Sequence, residues 1–281
     1  MGPHAELVLV LVLGAAFLHA FWNALIKGAA DRAITMAMVN VGHLVVGLVL
    51  VFFYLPPAQD SWAFLVGSTI IHLFYYWFLV TSYRFGDLSQ VYPISRGISP
   101  VIVATGAWYF AGEILSLDAW IGLILITGGI AIIFFARLKG HSNWKAITAA
   151  LFTGVTIASY TVVDGLGIRA SGSPLGYIGW LFVLEFLSSI GILSYRWRSL
   201  SGISFKVYAI GLIGGLVSAF AYGLAMYAQN LAPLGAVSAI RESSVLIAAL
   251  IGVIWFKERP WKPRVVAALV VVAGVIMLAT S

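Results

Sequence analysis

The chain has 281 residues, of which 62% are hydrophobic and only 9% charged. A soluble domain carries about 25% charged residues, so this chain lacks the polar side chains to cover a water-facing surface and reads as an integral membrane protein. The absence of cysteine excludes a disulfide framework, a thiolate metal site and thiol catalysis. The net charge of +6 would suggest nucleic acid in a soluble protein and here reads first as a topology signal.

Crossing about 30 Å of hydrocarbon takes roughly 20 residues of helix. Ten apolar runs are long enough: 6–27, 34–55, 62–84, 88–111, 118–136, 145–166, 174–195, 205–230, 234–256 and 263–280. Turn residues separate them, among them Asp31-Arg32, Pro56-Pro57, Gly86-Asp87, Ser171 to Pro174, Pro233 and Pro260. The runs lack the apolar and polar alternation of barrel strands, so the expected fold is all-α. The first run has no Lys or Arg ahead of it and no small-residue cleavage site after His19-Ala20, and is expected to be retained as a helix.

Basic residues orient the spans. Lys27, Arg32, Arg84, Arg137, Lys139, Lys145, Arg196, Arg198, Lys206, Lys257, Arg259, Lys262 and Arg264 fall on one face, and Arg169 alone falls on the other. By the positive-inside rule the first face is cytoplasmic and both termini are periplasmic.

Sliding the chain on itself by 145 residues superposes Arg96 on Arg241, Glu113 on Glu258, Gly129 on Gly274 and Trp77 on Tyr222. The chain therefore divides into two five-helix units, 1–140 and 141–281. Five is odd, so the second unit enters the membrane from the opposite side, and the two are inverted repeats. Inverted repeats are a signature of secondary transporters, whose substrate sites lie near the midplane between the halves. The 5 + 5 arrangement, Glu113 and Glu258 before glycine-bearing spans, and Trp22-Asn23 in the first span resemble the EamA family of the drug/metabolite transporter superfamily. Within it, the aromatic-rich spans look most like the YddG-type aromatic amino acid exporters. The resemblance implies alternating access around a central cavity in a bacterial inner membrane.

The polar residues inside the spans are the candidate site. Trp22 and Asn23 in the first span, His72, Tyr75 and Tyr76 in the third, Tyr92 in the fourth, Tyr160 in the sixth, Trp180 in the seventh, and Ser218 and Tyr222 in the eighth are expected to line the cavity. Aromatic faces stack on an aromatic solute, and their polar ends hydrogen-bond it. Arg96 and Arg241 flank the midplane and are candidates to clamp a carboxylate or to gate through Glu185, Glu242 or Asp164; a static interhelical pair is the alternative. Asp164 is expected near a membrane surface. Glu185 reads first as a paired structural group, with proton exchange as its alternative. Pro93, Gly97 and Pro100 mark the fourth span as a hinge, or else a fixed kink. Gly211, Gly214, Gly215, Ser218 and Ala219 read as a small-residue packing face. His19 and His43 read as helix-contact histidines rather than ligands.

No phosphate loop and no H-E-x-x-H metal helix occurs, so neither an ATPase nor a zinc hydrolase is expected. The expected protein is a monomeric exporter of aromatic or neutral amino acids without cofactor or metal, whose partners are a small-molecule substrate and membrane lipid but not nucleic acid. Export of drugs or other metabolites is the rival within transport, and a membrane-embedded enzyme or lipid flippase the rival outside it. The charge bias predicts that alkaline phosphatase fused to the C-terminus is active in a bacterial host and a fluorescent protein fused there is dark; the reverse pair would overturn the orientation.

Overall fold

The computed structural model describes residues 4–26, 29–85, 88–137, 143–254 and 261–281, and among them the ordered elements are all helices. The first five expected runs fold as α1 (Ala5–Ile26), α2 (Arg32–Phe53), α3 (Trp62–Phe85), α4 (Leu88–Ala111) and α5 (Leu117–Arg137). The remainder fold as α6 (Trp144–Ala170), α7 (Pro174–Tyr195), α8 (Phe205–Leu231), α9 (Leu234–Arg241), α10 (Ser243–Ile254) and α11 (Lys262–Thr280). The start signals act as their chemistry requires. The Asp31 side chain accepts from the Ile34 amide at the head of α2, Asn143 and Ser204 cap α6 and α8, and Pro174 opens α7. Gly112, at φ 65°, turns the chain out of α4 in a conformation that favours glycine.

One expectation is corrected. The ninth run is not one helix but divides at Glu242 into α9 and α10. The Glu242 amide bonds to the Ala239 carbonyl and the Val245 amide to the Glu242 carbonyl, spacings of three residues that tighten and interrupt the α-helical ladder. The sixth run extends through Ala170, so Asp164 lies more than a turn inside α6, where its side chain is fully buried in the protein. In contrast, α4 runs unbroken through Pro93 and Pro100.

Seven of the described helices are long and apolar enough to cross a membrane by themselves: α1, α2, α3, α6, α7, α8 and α11. The polar, proline-bearing α4 and the divided α9 and α10 fall short for the reasons that make them interesting. Large apolar side chains point outward along the bundle, among them Phe52, Phe53, Trp77, Trp108, Phe152 and Phe220. Such a surface has lipid as its natural solvent. The chain is an all-α, multi-pass membrane protein.

The helix packing has two-fold character. Exchanging the first five helices with the remaining six turns the α3–α6 packing into α8–α1, and α4–α6 into the packing of α9 and α10 on α1. The α2–α8 packing becomes α7–α3, while α2–α7 and α5–α11 map onto themselves. The expected boundary between units, at 140/141, lies outside the described residues, as does Glu258.

Glycine sets how closely these helices approach. A Cβ on Gly122 of α5 would lie 2.8 Å from the Gly274 carbonyl oxygen of α11, and one on Gly274 would lie 2.6 Å from that of Gly122. Gly42 of α2 meets Gly215 of α8 in the same way, with backbone 2.6 Å from an added Cβ. In hydrocarbon, close backbone contact substitutes for the missing hydrophobic drive. Gly274→Val is expected to destabilise the protein by about 1–3 kcal/mol through overpacking. Gly191→Ala, in α7 with nothing within 4 Å of an added Cβ, is expected to be neutral or slightly stabilising. Thermal unfolding of both variants in one detergent checks the contrast; equal effects would contradict it.

Candidate functional site

The bundle encloses a central cavity to which eight helices contribute. Ala15, His19 and Trp22 come from α1, Met36, Val39 and His43 from α2, and His72, Tyr75 and Tyr76 from α3. Arg96 comes from α4, Tyr160 from α6, Glu185 from α7, Ser218, Ala221 and Tyr222 from α8, and Arg241 from α9.

Glu185, near the middle of α7, anchors the polar part of this wall. Its Oε2 lies 2.8 Å from His43 Nδ1 and its Oε1 3.1 Å from His72 Nε2, with all three side chains buried. The outer nitrogens of the two rings are also engaged: His43 Nε2 lies 3.1 Å from Ser218 Oγ, and His72 Nδ1 lies 2.9 Å from the Ser68 carbonyl oxygen. A second hydrogen-bonded string runs beside the first. The Tyr76 hydroxyl donates to Asn40 Oδ1, the Asn40 amide to Ser188 Oγ, and the Ser188 hydroxyl to the Glu185 carbonyl, each within 2.8 Å.

Aromatic rings pack around this core. His72 stacks on Tyr160 with ring centres 4.1 Å apart, and Tyr75 and Tyr222 meet Tyr160 edge-on. Behind Tyr222, the Tyr222 and Tyr177 hydroxyls donate to the two oxygens of Asp164 at 2.6 and 3.3 Å. That pairing answers the cost of burying a carboxylate.

The arginines occupy a different part of the wall. Arg96 Nε lies 2.7 Å from Glu242 Oε2, an ion-pair contact without the alignment of a hydrogen bond. The break between α9 and α10 places Glu242 at this contact. Arg241, one residue earlier, is 5% exposed, and among the described residues its Nε and Nη2 have no hydrogen-bond partner. Two guanidiniums against one carboxylate leave this part of the wall with a net positive charge.

Of the residues singled out from sequence, the fold brings Trp22, His72, Tyr75, Tyr76, Arg96, Tyr160, Glu185, Ser218, Tyr222 and Arg241 to the cavity. Five lie elsewhere. Asn23 turns back to donate to the His19 carbonyl. Tyr92 packs into the apolar core shared by α4, α5, α10 and α11, and Trp180 packs on Trp62. Asp164 and Glu242 sit one layer behind the lining, fully buried. Sequence reasoning missed His19 and His43, both cavity-lining; His19 also accepts from the Trp22 indole at 3.3 Å. A signal for His43 was present. The offset of 145 places Asn40 on Glu185 and His43 on Ser188, and the structure joins these positions crosswise, Asn40 to Ser188 and His43 to Glu185.

At one end of the bundle, Arg169 bonds to the Gln229 and Ala232 carbonyls and to Glu113 Oε1, and Glu113 Oε2 accepts from the Leu234 amide at the head of α9. The lone basic residue of the weakly charged face thus fastens α6, the α4–α5 connection and the α8–α9 turn. Arg196 and Asp31 form a 2.8 Å ion pair between the ends of α7 and α2.

The EamA-like transporter family matches the chain twice, over residues 6–135 and again over residues 144–280. The chain belongs to the EamA-like transporter family. The first match covers α1–α5 and the second α6–α11. A solved crystal structure, described only as that of a protein, is similar over 97% of this chain and 98% of its own, with a TM-score of 0.77 at 13% identity. That likeness concerns the fold alone. No curated protein matches the sequence. As an EamA-like transporter the chain acts on a small-molecule substrate in a lipid environment, and its central cavity is the candidate site.

Proposed function

We propose that this EamA-like transporter is a secondary exporter of aromatic and other neutral amino acids and related small metabolites, of the YddG type, in a bacterial inner membrane. The two halves, 1–140 and 141–281, rock about the cavity and open it to one side at a time. The observation that carries the substrate class is the pairing of aromatic walls with a guanidinium whose hydrogen-bonding capacity is incompletely used. Trp22, Tyr75, Tyr160 and Tyr222 offer faces and edges for a ring. Arg241 lines the cavity and brings a buried guanidinium whose Nε and Nη2 have no hydrogen-bond partner among the described residues, a positive charge suited to a carboxylate. Basic residues crowded on one face support periplasmic termini. The interruption at Glu242 in α9–α10, and Pro93, Gly97 and Pro100 in α4, are the places where the backbone gives most readily.

Counterflow in liposomes tests this reading. The purified protein is expected to exchange labelled phenylalanine, tyrosine or tryptophan, with the corresponding amides, which lack the carboxylate, competing poorly. A charge-assisted hydrogen bond is worth about 1.5–3 kcal/mol, so Arg241→Gln should raise the half-saturating concentration roughly 10- to 100-fold. Equal competition by acids and amides would remove Arg241 as the carboxylate site. Exchange of no amino acid would overturn the substrate class.

A further inference from the structure

His19 of α1 is held by a neighbour one turn further along the same helix. The Trp22 indole N–H, which can only donate, bonds to His19 Nδ1 at 3.3 Å, and the two rings meet edge-on with centres 5.4 Å apart. Nδ1 therefore presents a lone pair, and the imidazole carries its one hydrogen on Nε2, at the far end of the ring. His19 is partly exposed and lines the cavity, and its Nε2 has no hydrogen-bond partner among the described residues. The cavity wall thus holds a neutral donor, fixed in its tautomer, with no acceptor of its own.

The repeat-related position on α6 is built from the same parts and closed. The offset of 145 places His19 on Asp164, Trp22 on Gly167 and Ala15 on Tyr160. Gly167 leaves room for the Tyr177 hydroxyl, which a Cβ at that position would strike, and Tyr177 and Tyr222 donate to the two oxygens of Asp164. Tyr160, one turn earlier, puts a ring on the cavity wall and stacks it on His72. On α1, by contrast, Trp22 engages only one nitrogen of His19, and Ala15 puts a methyl group where α6 has the Tyr160 ring. The polar position is satisfied and covered in the second half, and unsatisfied and uncovered in the first.

We propose that His19 is a substrate-recognition residue whose Nε2–H donates to a carboxylate oxygen of the substrate seated beside Ala15, and that Trp22 is the positioning residue that keeps the hydrogen on that nitrogen. The proposal rests on the amino-acid reading above and names a second group that recognises the carboxylate. Arg96 and Arg241 share the cavity with His19 and supply positive charge, which attracts an anion over a distance. A neutral imidazole adds direction without a third positive charge, because a single N–H bond locates one oxygen. A tautomer set in advance by Trp22 removes the need to reorganise the donor when the substrate arrives.

Two measurements test it. Nitrogen NMR of the full chain labelled in its histidine rings, with His19→Gln assigning the resonances that disappear, is expected to show a bare Nδ1 and a protonated Nε2 on His19. Trp22→Phe, which keeps a ring and loses the indole donor, is expected to mix the two tautomers. A hydrogen on Nδ1 in the wild-type protein would overturn the proposal. In liposome counterflow, His19→Leu is expected to raise the half-saturating concentration of phenylalanine roughly 10- to 100-fold, the loss of one charge-assisted hydrogen bond, and to leave competition by phenethylamine, which has no carboxylate, unchanged. His19→Gln, which keeps an amide donor near the position of Nε2, is expected to recover most of the loss. Equal losses for phenylalanine and phenethylamine, or no recovery in His19→Gln, would overturn the recognition role. Phenylalanine counterflow that His19→Leu leaves unchanged would overturn this proposal alone. No counterflow of any amino acid by the wild-type protein would overturn the substrate reading, and the carboxylate contact with it.

Discussion

Glu185 gives one oxygen to His43 and the other to His72, and this fork ties three helices together at the centre of the bundle. A carboxyl at that depth is costly unless fully partnered, and removing one member of a buried pair typically costs about 3–5 kcal/mol. Ser218 extends the fork to α8, while Asn40 and Ser188 run a parallel string between α2 and α7. Helices must approach closely for such short side chains to meet. The contacts of Gly42 with Gly215 and of Gly47 with Gly179 allow it. The cavity wall is what remains where aromatic side chains hold the helices apart.

The fork joins the two units and has no counterpart at the repeat-related positions. Asn40 and His43 of the first unit stand where Glu185 and Ser188 stand in the second. Two symmetric hydrogen-bonding positions on α2 and α7 have diverged into one amide–hydroxyl pair and one imidazole–carboxylate pair. The arginines follow the same logic. Arg96 and Arg241 are repeat mates, but the residue after each differs, Gly97 against Glu242, so a single carboxylate faces two guanidiniums. A net charge at the site arises from that one asymmetry. It also coincides with the break that turns the ninth span into α9 and α10.

Hydropathy made the helices legible, because each run had to be apolar on nearly every face to lie in lipid. For the same reason it said little about rotation. On a helix that is apolar all round, nothing in the pattern distinguishes Tyr75, which meets the cavity, from Trp77, which is 63% exposed at the periphery. Tyr92 and Trp180 looked like Tyr160 in sequence and turned into apolar cores instead. Charged residues were better guides, since Arg96, Arg241 and Glu185 had no tolerable place except the interior. His43 was passed over because a solitary histidine on an apolar face is usually a packing residue. Its significance depended on Glu185, 142 positions away. The break at Glu242 was hidden because no glycine or proline marks it, whereas the prolines of α4 lie within one continuous helix.

If one cavity serves both faces of the membrane in turn, a label inside it is reachable from either side. The chain has no cysteine, so a single one introduced at Ala221, a buried residue of the cavity wall, is a unique label site. Its reaction with a membrane-impermeant thiol reagent can be timed from each side of oriented vesicles, with and without a substrate gradient. Labelling from both sides is expected, with substrate slowing one rate as it speeds the other. Labelling from one side only, whatever the gradient, would contradict it.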